Sequence, residues 1–376
     1  MTIPELVIAL QEARKEYYHG TPNMSDAAFD ALENELRKKD PNNAYFAEVG
    51  APVGKTGWAK VNHPVEMGSL SKAQDMAEFK EWSRLRGIKK NFFVSEKLDG
   101  ISVLLTYDAD GNFVRGSTRG DGVVGEDITR NVRIMGGVPA KIENETGGAL
   151  YIRGEIVCYK SIHPIKFPED SNPRNTASGT AKRQHSGWQK ARHLNVYVYR
   201  LDFENEDCDI ASAKPTKIGR IKYLKQLGFD TPNYSVLADI KEVEAYYEWY
   251  IEDLRAKLDY DIDGLVIETA DLSTAKKLGS HKGVPKGSVA LKFPHEAQTT
   301  KLIDVIWQTG NTGRITPVAV FETVSLAGAN VSRASLHTVA RLESLKLYAG
   351  CEILVSRRND VIPMVEGNVS EGIFLQ

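Results

Sequence analysis

The sequence predicts an α+β protein: an amino-terminal helical hairpin, a central domain of mainly antiparallel sheets, and a small β-barrel at the carboxyl end. Three observations carry this. Apolar residues recur at helical spacing through the first forty positions. From about residue 90 the pattern changes to short β-rich runs with hairpin turns. After Pro294, short strand-like runs alternate with Gly and Asn, as in a small barrel.

Taking the elements in order, Leu6, Leu10, Ala13 and Tyr17 form one apolar helical stripe, broken at Gly20-Thr21-Pro22-Asn23. Ser25 suits an N-cap for a second helix with Phe29, Leu32 and Leu36 on one side, ended by Pro41-Asn42-Asn43. Strands are expected at 91–98, 101–108 and 112–118, the last two joined by a turn at Asp108-Ala109-Asp110-Gly111. Further strands are expected at 149–159, 194–203, 263–269 and 288–293, with helices near 214–227 and 240–257.

The 376 residues are 41% hydrophobic and 26% charged, with formal net charge −2. This is an ordinary globular balance, long enough for two or three domains. It excludes a strongly basic protein, so any nucleic-acid interface must come from local placement of Lys and Arg. Cys158, Cys208 and Cys351 form no Cys-x-x-Cys pair, which argues against a zinc or disulfide framework and for a reducing compartment. The first ten residues lack a basic run before an apolar stretch, and no apolar run approaches spanning length. A cytoplasmic protein with no membrane partner is expected.

The strongest chemical signal is Lys97-Leu98-Asp99-Gly100, where one strand ends and the next begins. Alone, such a lysine is more often a surface residue at a turn. However, residues two apart on a strand share a face, so Lys97 with Asp99, Arg153 with Glu155, and Tyr197 with Tyr199 are facing pairs. Lys292 lies within the apolar run Val289-Ala290-Leu291. Charges in such strands are costly unless paired or lining a cavity, so these strands suggest a polar pocket between sheets. A lysine attacks only as the amine, and nearby cations or burial lower its pKa. Arg119 and Lys292 are the candidate cations, able also to hold a phosphate. Glu155 suits a magnesium ion or a ribose hydroxyl, and Tyr199 a stacked base.

With these residues in place, the chain resembles the bacterial NAD⁺-dependent DNA ligases. The resemblance rests on Lys97-Leu98-Asp99-Gly100, Thr118-Arg119-Gly120-Asp121-Gly122, Arg153-Gly154-Glu155, Asp263-Gly264-Leu265-Val266 and Ala290-Leu291-Lys292-Phe293, in that order. Asn172-Pro173-Arg174-Asn175 with Ser178-Gly179, Thr316-Pro317-Val318-Ala319, Ser332-Arg333-Ala334-Ser335-Leu336-His337 and Asp360-Val361-Ile362-Pro363 extend it over nearly the whole chain.

The resemblance implies a nick-sealing enzyme of DNA replication and repair, with a nucleotidyltransferase domain and an OB-fold barrel. Lys97 would take AMP from NAD⁺, expelling nicotinamide mononucleotide. AMP would pass to the 5′-phosphate of a nick, and the 3′-hydroxyl would displace it. Asp99, Arg119, Glu155 and Lys292 would line the adenylate pocket, Tyr199 would stack on the base, and Ser69-Leu70 would touch the nucleotide. Magnesium is the expected cofactor, with no dedicated set of metal-ligating residues. The partner is nicked duplex DNA, with Arg174, Lys182, Arg333 and Arg357 as candidate phosphate contacts. The implied modules are 1–55 for nicotinamide mononucleotide, 56–294 for adenylation and 295–376 for the OB-fold.

Asp26 and Asp30 share a helical face, near Tyr17, Tyr18 and Phe29, a spacing that by itself suits an acidic first turn stabilising a helix N-terminus. The resemblance implies NAD⁺ over ATP, because the family's nicotinamide-mononucleotide module has the same Asp-x-x-x-Asp, and carboxylates with aromatic faces favour a cationic nicotinamide ring. Phe29 stands where the family usually has Tyr, and the loop before Pro22 is short, so Tyr17, Tyr18 and His19 remain alternatives for the family's aromatic and His pair. Two further departures are Ser95, where the family usually has Glu, and Glu268, where it usually has Lys. Both are expected to face the adenine edge, the carboxylate having moved from one strand to the other.

Gly120-Asp121-Gly122-Val123-Val124-Gly125 fits a dinucleotide-binding fingerprint, which makes a Rossmann dehydrogenase the rival enzyme class. A non-catalytic binding protein, or an RNA ligase or capping enzyme, are further rivals. The zinc, helix-hairpin-helix and BRCT modules of full-length bacterial ligases are not in this sequence. A piece of a longer chain, a minimal ligase, and a ligase completed by a second polypeptide are the three readings of that.

Overall fold

The structure, a computed structural model, describes residues 1–19, 26–41, 43–47, 57–170, 172–281, 283–294, 297–309, 315–326, 329–358 and 362–374. The chain divides into two compact units, Met1–Pro41 with Pro294–Gln376, and Asn42–Phe293.

In the first unit, α1 (Ile3–His19) and α2 (Asp26–Lys39) form the hairpin. Leu6, Leu10, Ala13 and Leu36 are buried, so the apolar stripe read in the sequence is the seam. Lys39 Nζ donates to the Met1 carbonyl (2.6 Å) and to Glu35 (2.7 Å), closing the open end. The proposed cap Ser25 and the loop around Pro22 lie outside the described residues, as do the side chains of Tyr17, Tyr18, His19, Asp26, Phe29 and Asp30.

The second unit is built on two sheets. The first has the order β1 (Ser71–Ala73), β9 (Ser288–Lys292), β8 (Ile262–Thr269), β2 (Lys90–Leu98), β7 (Tyr234–Asp239). The second has the order β4 (Phe113–Thr118), β3 (Ile101–Tyr107), β5 (Leu150–Cys158), β6 (Leu194–Phe203). Every pairing is antiparallel except β1 with β9, so the fold-class expectation holds with one parallel pair beside it. Helices α3 (Met76–Arg86), α4 (Pro173–Ala181), α5 (Lys217–Gln226) and α6 (Ile240–Trp249) cover the apolar faces. Phe92, Val94, Leu265, Ile267, Val289 and Leu291 pack with Phe79, Tyr247 and Tyr250, whereas Val103, Leu105, Ile156 and Val196 pack with Ala177, Ala181, Ile221 and Leu224. That leaves the opposite faces for polar residues.

Sequence reading missed β7, α3 and α4. The expected helix over 240–257 is α6 followed by a π turn at Tyr250–Leu254 and a last turn at Arg255–Lys257. The Gly120–Gly125 fingerprint is not a dinucleotide turn: β4 runs into the short strand Val124–Glu126, which pairs with Lys60–Asn62, and no helix starts there.

In the barrel residues of the first unit, the sheet order is β12 (Ala329–Ser335), β11 (Ile315–Leu326), β10 (Ala297–Thr309), β13 (Glu352–Arg358), β14 (Ile362–Asn368), β15 (Ile373–Phe374). Leu302, Ala319, Phe321, Ile353, Val355 and Val365 form its core. Two strands are longer than expected, because β10 bends at a bulge between Leu302 and Asp304 and serves two neighbours in succession. Among the described residues no helix is long and apolar enough to cross a membrane.

Candidate active site

The site lies where the polar faces of the two sheets meet. Strand alternation puts Phe93, Ser95 and Lys97 of β2 on the inner face, with Gly264, Val266 and Glu268 of β8 opposite. Ser288, Ala290 and Lys292 of β9 continue that face. From the other sheet come Ser102, Arg153 and Glu155, with Tyr199 at an irregularity of β6 where its phenol feels Glu155. The chain passes between sheets at Gly100, where a Cβ would come within 2.1 Å of the Ile156 carbonyl oxygen. Only glycine permits so close a crossing, which sets Lys97 beside Ser102 and Glu155.

Gly264 is register partner to both Lys97 and Lys292, so it separates the two lysines without a side chain. A bulge between Ile262 and Gly264 inserts Asp263, whose carboxylate meets both amines. Lys97 Nζ lies 2.9 Å from Oδ1 and 3.0 Å from Oδ2, and Lys292 Nζ lies 2.7 Å from Oδ2. The sequence shows Asp263 within a motif but gives it no role, because the bulge that turns it inward arises only on pairing with β2.

The electrostatics correct one expectation. Burial works to lower the pKa of Lys97, but the contacting Asp263 carboxylate, with Asp99 and Glu155, outweighs it and the net shift is upward. The neighbouring cations do not win. Lys292 is shifted the other way, by burial and by Lys97, despite Asp263. Asp263 itself resists the desolvation that would raise it, because Lys292 and Lys97 hold it well below the usual carboxylate range. Burial pushes Glu155 up to about 7, against the pull of Lys97, the Ser102 hydrogen bond (2.9 Å) and Arg119.

The remaining candidates fall in several places. Arg119 follows β4, its carbonyl bonded to His63 Nε2 at 3.0 Å, with its charge acting on Glu155 and Tyr199. Burial, then Glu155, pushes the Tyr199 phenol up to about 12. Ser69 and Leu70 are half-buried just before β1. Arg174, expected on DNA, is ion-paired to Asp99 at 3.0 Å inside the pocket, because α4 is capped by Asn172 and points its first turn there. Lys182 closes α4, with burial lowering its pKa. Arg333 is exposed on β12, and the Arg357 side chain lies outside the described residues.

Two pairings differ from expectation. Arg153 is held by Asp202 at 3.0 Å, and Arg200 by the same carboxylate at 3.1 Å, so Arg153 serves a network beside the pocket. Ser95 and Glu268 share a face but do not stand opposite: Ser95 faces Val266, and Glu268 faces Phe93. Glu268 is ion-paired to Lys217 at 2.8 Å and accepts from Ser288 Oγ at 3.2 Å. The simple exchange of a carboxylate between strands is therefore incomplete, because Lys217 from α5 is part of it.

Residues 55–296 match the NAD-dependent DNA ligase adenylation domain, and residues 299–372 the NAD-dependent DNA ligase OB-fold domain. The chain belongs to the NAD-dependent DNA ligase family. Among curated relatives, the DNA ligase of Sorangium cellulosum is 41% identical over 389 residues, covering 97% of this chain and 56% of the relative. The DNA ligase of Treponema denticola is 36% identical over 377 residues, with coverage of 97% and 56%. That of Clostridioides difficile is 32% identical over 383 residues, with coverage of 96% and 56%. The chain thus spans little more than half the length of these ligases. Membership of a family described as NAD-dependent DNA ligases sets the dehydrogenase reading aside.

Proposed function

We propose that this protein seals nicks in duplex DNA, with Lys97 as the nucleophile and NAD⁺ supplying the adenylate. The observation that carries the reading is the Lys97–Asp263–Lys292 constellation on adjacent strands. In the first step the Lys97 amine, having lost its proton, forms a P–N bond to the α-phosphorus of NAD⁺. The anhydride P–O bond breaks, and nicotinamide mononucleotide leaves with that oxygen. The 5′-phosphate of the nick then displaces lysine, and the 3′-hydroxyl displaces AMP, closing the phosphodiester.

Asp263 aims the two amines at one point. Lys292 and Arg119 face the charge that grows on the phosphate as the anhydride breaks. Asp99 and Arg174 brace one another at the pocket wall, Tyr199 offers its ring to the base, and Ser69-Leu70 close the slot. Glu155 fits a magnesium ion, since its carboxylate accepts a hydrogen bond from Ser102 and is pushed up to about 7 by burial, a cost that a bound cation would offset. Among the described residues no three acidic, His or Cys side chains gather as a cage, and magnesium commonly relies on one or two carboxylates plus phosphate oxygens. When bound, the ion would neutralise phosphate charge.

Residues 1–55, with Tyr17, Tyr18, Asp26 and Asp30, would hold the nicotinamide half, residues 56–294 carry adenylyl transfer, and residues 295–376 grip the DNA backbone. Lys182, Arg333 and Arg357 are the proposed phosphate contacts, in a cytoplasmic enzyme. Sealing of a singly nicked duplex with NAD⁺ and magnesium is the test. Ligated product that requires NAD⁺ supports the reading, and absence of both product and enzyme adenylate overturns it.

A further inference from the structure

Lys217 opens α5, where Thr216 Oγ1 caps the helix by accepting from Gly219 N at 3.2 Å. Its own backbone N–H donates to the Ala270 carbonyl (3.0 Å), tying the start of α5 to the end of β8. The ammonium therefore arrives beside Glu268 with little freedom. The side chains are 8% and 16% exposed, so the pair is almost dry yet not sealed. Lys217 Nζ also lies 5.8 Å from the centre of the Phe93 ring, which floors the pair. Behind it stand Arg200 and Asp202, whose charges act on Lys217.

A buried ion pair is weak evidence for stability, since desolvation offsets much of its attraction. Its position suggests another role. Glu268 lies on the same inner face as Lys97 and four residues along β8 from Gly264, the partner of Lys97. At about 3.3 Å per residue this is ~13 Å. An extended adenylate with its phosphate at Lys97 would set the far edge of its base there. Between the two ends the inner face carries Ser95, Val266 and Ala290, none of them long or charged, with Tyr199 on the facing sheet.

The chemistry of the pair matches that edge. A carboxylate only accepts hydrogen bonds and an ammonium only donates. Adenine presents an amino donor next to a ring-nitrogen acceptor. Hypoxanthine and guanine present a keto acceptor next to an N–H donor, the reverse order. We propose that Lys217 and Glu268 together read the base of the adenylate donor, Glu268 accepting from the amino group and Lys217 donating to the ring nitrogen. This rests on the proposed function, and it makes Lys217 a specificity-determining residue.

The test compares self-adenylylation by NAD⁺ with the corresponding transfer from nicotinamide hypoxanthine dinucleotide. The unaltered protein should prefer NAD⁺ by about 100-fold or more, as sites built to hydrogen-bond a group reject analogues lacking it. Glu268→Gln, which offers both a donor and an acceptor, should narrow that ratio by about ten-fold or more. The double reversal Lys217→Glu with Glu268→Lys keeps an ion pair, so it guards against simple misfolding, and it should turn the preference toward hypoxanthine. Equal use of both dinucleotides by the unaltered protein would overturn the proposal. So would variants that slow both equally and leave the ratio unchanged. If the unaltered protein accepts neither dinucleotide, the proposed function itself fails, an outcome distinct from a lost preference.

Discussion

Lys97 and Asp263 form an ion pair 2.9 Å long, and the same carboxylate reaches Lys292 at 2.7 Å. Held this way, Lys97 is kept as the ammonium through neutral pH, because Asp263, Asp99 and Glu155 outweigh the burial that would free the amine. The resting site is thus aimed but not activated. On the proposed chemistry, approach of a negatively charged phosphate and its counterion alters this balance before Lys97 attacks.

The first prediction concerns pH. A base whose pKa is raised is mostly protonated below that pKa, so self-adenylylation should climb as pH rises from 6 to about 9. Asp263→Asn removes the strongest of the carboxylates that raise Lys97 and leaves burial opposed by Asp99 and Glu155 alone. Its profile should move to lower pH while the maximal rate falls by about 100-fold. A variant profile rising at the same pH as the parent would show that Asp263 does not control Lys97.

Glu155 supplies a second prediction, read in stability. Its pKa is raised by burial from 4.5 in the unfolded chain to about 7 in the folded one. Below pH 4.5 both states are protonated and nothing is lost. Between about 4.5 and 7 the unfolded chain ionises first, so stability falls as pH rises, by on the order of 3 kcal/mol in total. Glu155→Gln abolishes this loss. Thermal melts should show the variant more stable than the parent at pH 8 and the gap closing toward pH 4. A gap independent of pH would mean that Glu155 is not buried in the neutral form.

Arg174 distinguishes a role in the pocket from the phosphate contact expected of it. Its 3.0 Å bond to Asp99 predicts that Arg174→Ala slows self-adenylylation in the absence of DNA by about ten-fold. Arg333→Ala, by contrast, should leave that step unchanged and weaken nick binding with a shallower salt dependence. Arg174→Ala acting only on nick affinity would return it to the DNA surface.

Much of this was legible in the sequence because strand alternation is local. Once 91–98 and 263–269 read as strands, Ser95 had to share a face with Lys97, and Glu268 one with Val266, whatever the sheet order. What the sequence hid was non-local. The bulge that turns Asp263 into the pocket depends on pairing with β2, and nothing in Asp-Gly-Leu-Val announces it. Lys217 reads as an ordinary first-turn residue of an amphipathic helix until α5 is packed against the end of β8. Arg174 reads as a loop cation until Asn172 starts a helix that points it at Asp99. The strand β7 was missed because Tyr234–Asp239 is an edge, with Val236 45% exposed, and so lacks a strong apolar run.

Removing residues 1–50 should stop self-adenylylation by NAD⁺ but spare sealing of a nick already carrying 5′-AMP, a step that needs no nicotinamide. Gel assays of both reactions on one preparation measure this. Loss of both together would make the hairpin structural and contradict its part in recognising the nicotinamide half.

The most direct test of the proposed chemistry is the mass of the protein after exposure to NAD⁺ and magnesium, followed by mapping of the modified peptide. One AMP should be found on Lys97 through an acid-labile P–N bond, carried by the adenylyl half of NAD⁺ and never by the nicotinamide half. Lys97→Ala should stay folded and gain no mass. An adduct at another residue, or an alanine variant that is still adenylylated, would contradict Lys97 as the nucleophile.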